Sequence, residues 1–246
     1  MSWFSSIFNK EKPLEGPIVT CDMHSHLLPG IDDGSDSIET SISLIESFIS
    51  LGYKKAITTP HIMGDFFKNT PETIQNALDL VQGELKNRHI TFEISAAAEY
   101  YLDEWFIQKL ENDEPLLTLG ASNYVLFETS YINRPSQLHQ AIFLMKSKGY
   151  QPVLAHPERY TYMYDNFAGY ENILQMGTLF QLNLNSLSGY YSKGAKAIAE
   201  KLIDNSWIHF VGTDCHGAKH INALQRTMDT KYYKKLQTIN LLNNTL

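Results

Sequence analysis

A chain of 246 residues that is 43% hydrophobic and 19% charged has room for one sizeable core, and its composition excludes disordered and collagen-like classes. Its formal net charge of −7 and the lack of any Lys/Arg cluster argue against nucleic acid, which is bound through clustered cations. Cys21 and Cys215 stand far apart and suggest no disulfide framework, so a reducing, cytoplasmic setting is expected.

The first 17 residues read as an N-terminal extension, and residues 18–246 read as a single domain. Trp3, Phe4, Ile7 and Phe8 fall at roughly helical spacing and could dock on a membrane surface or, better, on the protein itself. Neither a signal peptide nor a membrane-spanning segment is recognisable.

Short β-branched or apolar runs then alternate with longer amphipathic segments. Strands are predicted at 19–23, 56–59, 91–97, 124–127, 152–155, 179–184 and 208–212. Between them, Ile38, Ile42, Ile45 and Ile49 keep one helix face, with Gly52 placed as a C-terminal cap. Thr70 and Pro71 read as the N-cap and first residue of a helix whose stripe is Ile74, Leu78, Val81 and Leu85. A further helix at 135–148 ends in Gly149. Seven strand-then-helix units without a linker predict an α/β parallel barrel of seven strands, ahead of an open doubly wound sheet, for which no GxGxxG motif is present.

Polar residues fall where those strands end. His24 and His26, then Asp32 and Asp33, follow the first strand, and His61 follows the second. Glu99 closes the third, Glu128 the fourth, His156 with Glu158 and Arg159 the fifth, and Asp214 with His216 the seventh. In a parallel barrel all of these lie on one rim, where active sites are built. A lone histidine after a strand is more often structural, and His89, His139 and His209 take that reading. An H-x-H pair on one strand face can grip a single ion, and five histidines with four carboxylates behind apolar runs point to a metal site. So many ligands exceed one ion's needs, which implies two or three ions, and mixed imidazole and carboxylate donors suit Mn, Fe or Zn better than Mg or Ca.

"DMHSHLLPGIDDG", "TTPH", the Glu99 and Glu128 strand ends, "AHPER" and "GTDCH" together resemble the PHP (polymerase and histidinol phosphatase) superfamily. Within it, "HSHLLPGIDDG" and "HPERY" are most similar to the bacterial metal-dependent protein-tyrosine phosphatases of capsule and exopolysaccharide loci, the CpsB type. The resemblance implies a distorted TIM-like barrel of seven β/α units, the PHP fold, around a trinuclear centre usually assigned to manganese. It implies His24, His26, Asp33, His61, Glu99, Glu128, His156, Asp214 and His216 as metal-site residues and Arg159 as the phosphate-binding arginine, with Asp32 a structural neighbour. Glu158 is expected to stabilise its loop or orient Arg159. The family's second arginine, after the last D-x-H, is missing here, so Lys219 or His220 would have to serve, and His220 could also supply a proton.

The activity this implies is hydrolysis of phosphotyrosine on a protein, with the tail of a bacterial tyrosine autokinase as the expected partner. Neither cysteine is followed at six residues by the arginine that a thiolate phosphatase needs. Alternatives are a phosphoesterase acting on a small metabolite such as histidinol phosphate, and a metal-bearing regulatory partner of a kinase. Tyr100, Tyr101, Tyr131, Tyr160, Tyr162 and Tyr190 fall in predicted rim loops, where one or two could flank a phosphotyrosine ring.

Overall fold

The structure, a computed structural model, describes residues 16–246, so the aromatic segment of Trp3, Phe4, Ile7 and Phe8 lies outside the described residues. In chain order the elements are β1 (Cys21–Asp22), α1 (Ile38–Ser50), β2 (Lys55–Thr58), β3 (His61–Ile62), α2 (Pro71–Asn87), β4 (Glu93–Ala96), β5 (Glu99–Tyr101) and α3 (Glu104–Glu111). Then come β6 (Tyr124–Glu128), α4 (Leu138–Ser147), β7 (Gln151–Ala155), α5 (Phe167–Gln175), β8 (Leu179–Asn183), α6 (Lys193–Asp204), β9 (Phe210–Gly212), α7 (Ala218–Met228) and α8 (Lys231–Leu236). Among the described residues, no helix is long and apolar enough to cross a membrane.

Every strand pairs in parallel, in the orders β1-β2-β4 and β3-β5-β6-β7-β8-β9. β2 and β3 are two halves of one strand position, broken at Thr59 and Pro60, and β4 and β5 are halves of the next, broken at Ala97 and Ala98. The predicted strand at 91–97 is therefore shorter, and Glu99 opens a second segment instead of closing the first. Pro60 has no N–H for a ladder, yet pairing carries across the break, because Ala97 N–H donates to the Thr58 carbonyl (2.9 Å) and Glu99 N–H to that of Pro60 (3.1 Å). Seven strand positions remain, wound in chain order. A parallel bridge between Ser25 and Cys215, with Asp214 N–H donating to the His24 carbonyl at 2.8 Å, sets the last position beside the first. The architecture is the expected distorted barrel.

Strand alternation sorts the core into two layers. Met23, Ile57, Leu126, Val153, Ala155 and Phe210 pack inside with Cys21, Ala97 and Leu119. Their sequence neighbours Val125, Phe127, Leu154 and Val211 face outward, against helix residues such as Ile42, Val81, Leu110 and Leu202. Helix starts are set locally by side-chain caps from Ser37, Thr70, Asp103, Ser192 and Thr230. A cap is worth ~1 kcal/mol and each buried large side chain ~1.5–3 kcal/mol, so the layers decide the fold and the caps decide where helices begin.

Near the start of the strands, the C-terminal residues close the barrel. Leu242 and Leu246 pack on the inner layer. Asn243 accepts from Val211 N–H (2.9 Å) and donates to the carbonyls of Val211 (2.8 Å) and Cys21 (3.2 Å). Asn243→Ala should leave these buried backbone groups unpaired and destabilise the protein by about 2–4 kcal/mol, read from denaturant melts. A loss below about 0.5 kcal/mol would mean that water replaces the amide.

Candidate metal centre

Opposite that closure, the strand ends carry the polar residues. His24 and His26 lie two apart just past β1, so both imidazoles project to one side, with ring centroids 5.6 Å apart. Across the rim the candidate ligands fall into three groups: His24, His26, Glu99 and Asp214; His26, Asp33, His61 and His216; and His61, Glu99 and Glu128. Within each group the ligand atoms lie within 4.8 Å of one another. His156 flanks the third group, with Nε2 at 3.1 Å from Glu99 Oε1 and 3.9 Å from Glu128 Oε2. All nine residues expected as ligands are thus brought to one place.

Hydrogen bonding shows that these side chains suit a cation. His24 Nε2, His26 Nε2, His61 Nδ1 and Glu99 Oε2 are buried and have no hydrogen-bond partner. The other nitrogens of the first two rings are engaged: His24 Nδ1 with Gln181 Oε1 and His26 Nδ1 with Asp32 Oδ2, both at 2.8 Å. Acceptors behind Nδ1 fix its proton there and turn the Nε2 lone pair toward the group, as behind a metal-bound histidine. His216 Nδ1 likewise bonds the Asp214 carbonyl at 3.0 Å, leaving Nε2 at 3.3 Å from Asp33 Oδ1. Asp32 is therefore a support for His26, and it also accepts from the backbone N–H of Gly34 (3.0 Å) and His61 (3.2 Å).

The charges fit the same conclusion. Burial would raise Glu99, but His24 and His61 beside it hold its carboxyl well below the usual range. Burial and then Glu99 push Glu128 up to about 8. Bonds from His216 and His61 hold Asp33 low. Two neighbouring buried carboxylates do not ionise together without a positive charge between them.

Local backbone geometry aims two of these side chains. His156 (φ 32°) and Asp214 (φ 50°) are left-handed non-glycine residues at the ends of β7 and β9. Such conformations cost about 1–3 kcal/mol each and cluster at functional sites. After His156, Pro157 opens a one-turn 3₁₀ segment, Pro157–Arg159, closed by Arg159 N–H on the His156 carbonyl at 2.9 Å. That turn brings Arg159 back over the rim, where Nη1 donates to Asp214 Oδ2 at 2.7 Å. Glu158 instead takes bonds from Asn183 N–H (3.1 Å) and the Ser186 hydroxyl (2.6 Å), tying its loop to the one after β8.

A cavity of about 440 Å³ opens on the cluster, lined among others by Asp33, Glu128, Arg159, Asp214, His216 and His220, with Met63, Phe67, Tyr101, Tyr131 and Tyr191. Of the two stand-ins for a second arginine, His220 lines this cavity and Lys219 does not; Lys219 is exposed. His220 Nδ1 accepts from His216 N–H at 3.3 Å and burial pushes the ring down to about 4, so it is neutral with its proton on Nε2. Of the rim tyrosines singled out from sequence, Tyr101 and Tyr131 line the cavity. Tyr100 and Tyr160 are core residues whose hydroxyls bond backbone, Tyr162 bonds Thr129 (2.9 Å), and Tyr190 lies 5.2 Å from the His220 ring. Cys21 and Cys215 are buried, and burial pushes both thiols up to about 12.

Sequence reading passed over Gln181, Asn183 and Tyr191. The first two had a signal: β8 reads LFQLN, with two polar residues spaced two apart in an apolar strand, on the one strand position given no rim residue. Tyr191 had none, because its neighbour Tyr190 carries the same local pattern.

Residues 20–244 match the family model described as capsular polysaccharide synthesis, CpsB/CapC. The chain is 30% identical over 201 residues to tyrosine-protein phosphatase YwqE of Bacillus subtilis (strain 168), covering 82% of this chain and 79% of that one. It is 28% identical over 200 residues to tyrosine-protein phosphatase CpsB of Streptococcus agalactiae, covering 79% and 82%. A solved structure from the pair YwqE of Bacillus subtilis and CpsB of Streptococcus pneumoniae, described as metal-dependent tyrosine phosphatases, matches with a TM-score of 0.78 at 28% identity, covering 89% of this chain and 90% of that one.

Gln181 offers a test of the cluster that does not touch a ligand. Gln181→Leu should weaken metal binding roughly 10- to 100-fold in competition with a chelator, because His24 loses the acceptor that fixes its ring. Unchanged affinity would show that the bond does not orient His24.

Proposed function

The chain belongs to the CpsB/CapC family of capsular polysaccharide synthesis, and on that footing we propose that it is a metal-dependent phosphatase hydrolysing phosphotyrosine on protein. The observation that carries this reading is Arg159, poised beside three adjoining ligand groups at the mouth of one cavity. We assign the ions as manganese, with iron or zinc as alternatives, and the substrate as the disordered tyrosine-rich tail of a cytoplasmic kinase domain.

Divalent ions held by His24, His26, Asp33, His61, Glu99, Glu128, His156, Asp214 and His216 would supply Lewis acidity toward the phosphoryl group and bring the pKa of water toward neutrality. The protein's own part is to bind, orient and balance charge. Arg159 keeps one N–H on Asp214 and presents its remaining donors to the phosphoryl oxygens, where a planar fork matches two of them at once. Met63, Phe67 and Tyr101 give the tyrosine ring an apolar wall. His220 offers its Nε2 proton as a hydrogen bond to the departing phenolate, which needs little protonation. Neither cysteine is placed to act as nucleophile, since both are buried thiols outside the cavity.

A phosphoesterase acting on a small metabolite could use the same ligands; the wall of Met63, Phe67 and Tyr101 favours an aromatic substrate.

Chelation should abolish turnover and added Mn should restore it; full-rate hydrolysis by demonstrably metal-free protein would end the metal reading. Arg159→Ala should retain its metals and lose on the order of 100- to 1000-fold in kcat, the usual loss for a preorganised charge partner of a transition state. Normal kinetics would reduce Arg159 to a structural partner of Asp214. Cys21→Ser combined with Cys215→Ser should remain active, with no phosphoenzyme trapped. With Mn present, kcat/KM should be highest for a phosphorylated kinase tail, above a phosphoserine peptide and histidinol phosphate; a preference for histidinol phosphate would overturn the protein substrate.

A further inference from the structure

Arg159 is held by more than its ion pair. Its guanidinium carbon lies 4.4 Å from the ring centroid of Tyr131 and 4.1 Å from that of Tyr191. Each ring is anchored in turn. Tyr131 O–H donates to Glu128 Oε2 at 3.2 Å. Asn183 Nδ2 donates both to the Tyr191 hydroxyl and to Asp214 Oδ2, each at 2.9 Å. Asn183 is itself pinned at its backbone N–H by Glu158. The two tyrosines thus connect the arginine to a candidate ligand on one side and to the shared Asp214 network on the other.

A long arginine side chain ordinarily loses rotamer freedom when it grips an anion, and a side chain held beforehand does not. Ring faces suit this task because they attract the flat guanidinium without using its N–H groups. Among the described residues only Nη1 is engaged, by Asp214, and the other donors have no protein acceptor.

We infer that Tyr131 and Tyr191 are positioning residues that hold Arg159 in one plane, with its unengaged N–H groups aimed at the phosphoryl oxygens, before substrate arrives. The inference rests on the reading of Arg159 as the phosphate-binding arginine. Neither ring is required to touch the substrate.

The test uses the full-length, Mn-loaded protein and measures the dissociation constant of inorganic phosphate by calorimetry, metal content, and kcat and KM on a phosphotyrosine peptide. Tyr191→Leu should weaken phosphate binding roughly tenfold and lower kcat while the metals stay. Tyr191→Phe, which keeps the ring and loses only the hydroxyl, should restore most of both. Tyr131→Leu should act in the same direction, and Tyr131→Phe should recover phosphate affinity even if the bond to Glu128 is lost. In an Arg159→Ala background, Tyr191→Leu should cause no further loss, since the ring acts through the arginine. A full additional loss in that background, or a Phe variant as impaired as the Leu variant, would overturn the inference. If phosphate binding follows this pattern while phosphotyrosine is not hydrolysed, the positioning role stands and the proposed substrate fails.

Discussion

A carboxylate sealed at the mouth of a barrel has to be neutralised, and the rim is organised around that need. Glu99 is inaccessible to solvent, and His24, His61 and His156 approach its oxygens at 3.2, 3.1 and 3.1 Å, with His26 at 3.5 Å. Leaving such a group unpaired costs several kcal/mol. Protonating the imidazoles would compensate it only by crowding positive charges together. The His26 and His216 rings are 3.9 Å apart, and two unit charges at about 4 Å repel by about 4 kcal/mol at an effective dielectric of 20. Neutral rings around bound divalent cations would satisfy the carboxylates without that repulsion, and the unpartnered ring nitrogens and Glu99 Oε2 suit such an arrangement.

The same reasoning governs the substrate. Arg159 faces a cavity lined by Asp33, Glu99, Glu128 and Asp214, so the one permanent cation there confronts a surplus of carboxyl groups. A phosphate dianion approaching that surface is repelled until bound ions reverse the local charge. On the proposed reading, metal loading would then be a condition for substrate binding as well as for chemistry. Under the same reading, Arg159 would act as a directional contact within a field set by the ions.

The backbone makes this convergence possible by allowing unusually close approaches. A methyl group on Gly34 would overlap the His26 backbone carbonyl, which the loop folds over and bonds through Ser35 N–H at 3.1 Å. A Cβ on Gly212 would stand 2.6 Å from His24 Cβ and 2.9 Å from Gln181 Nε2. Both glycines let a neighbouring chain pass directly behind a candidate ligand. The breaks at Pro60 and Ala97–Ala98 belong to the same design, because they shift His61 and Glu99 onto separate short strands that still pair with each other.

Sequence alone determined the seven-strand order, three of the helices and the strand-end positions of the rim residues, because apolar periodicity and the position of polar residues after apolar runs are local properties of the chain, while the resemblance to a family picked the nine expected ligands among them. It marked Arg159 through its family motif and left Lys219 and His220 level, since two adjacent loop residues carry the same local signal. Only the tertiary structure decided between them, by turning His220 into the cavity and Lys219 to solvent. It alone set Asp32 behind His26, Gln181 behind His24 and Tyr191 beside Arg159, contacts across 6, 157 and 32 positions of chain. Supports of this kind are fixed by which strands lie side by side and which face each residue takes, and those relations exist only once the barrel has formed.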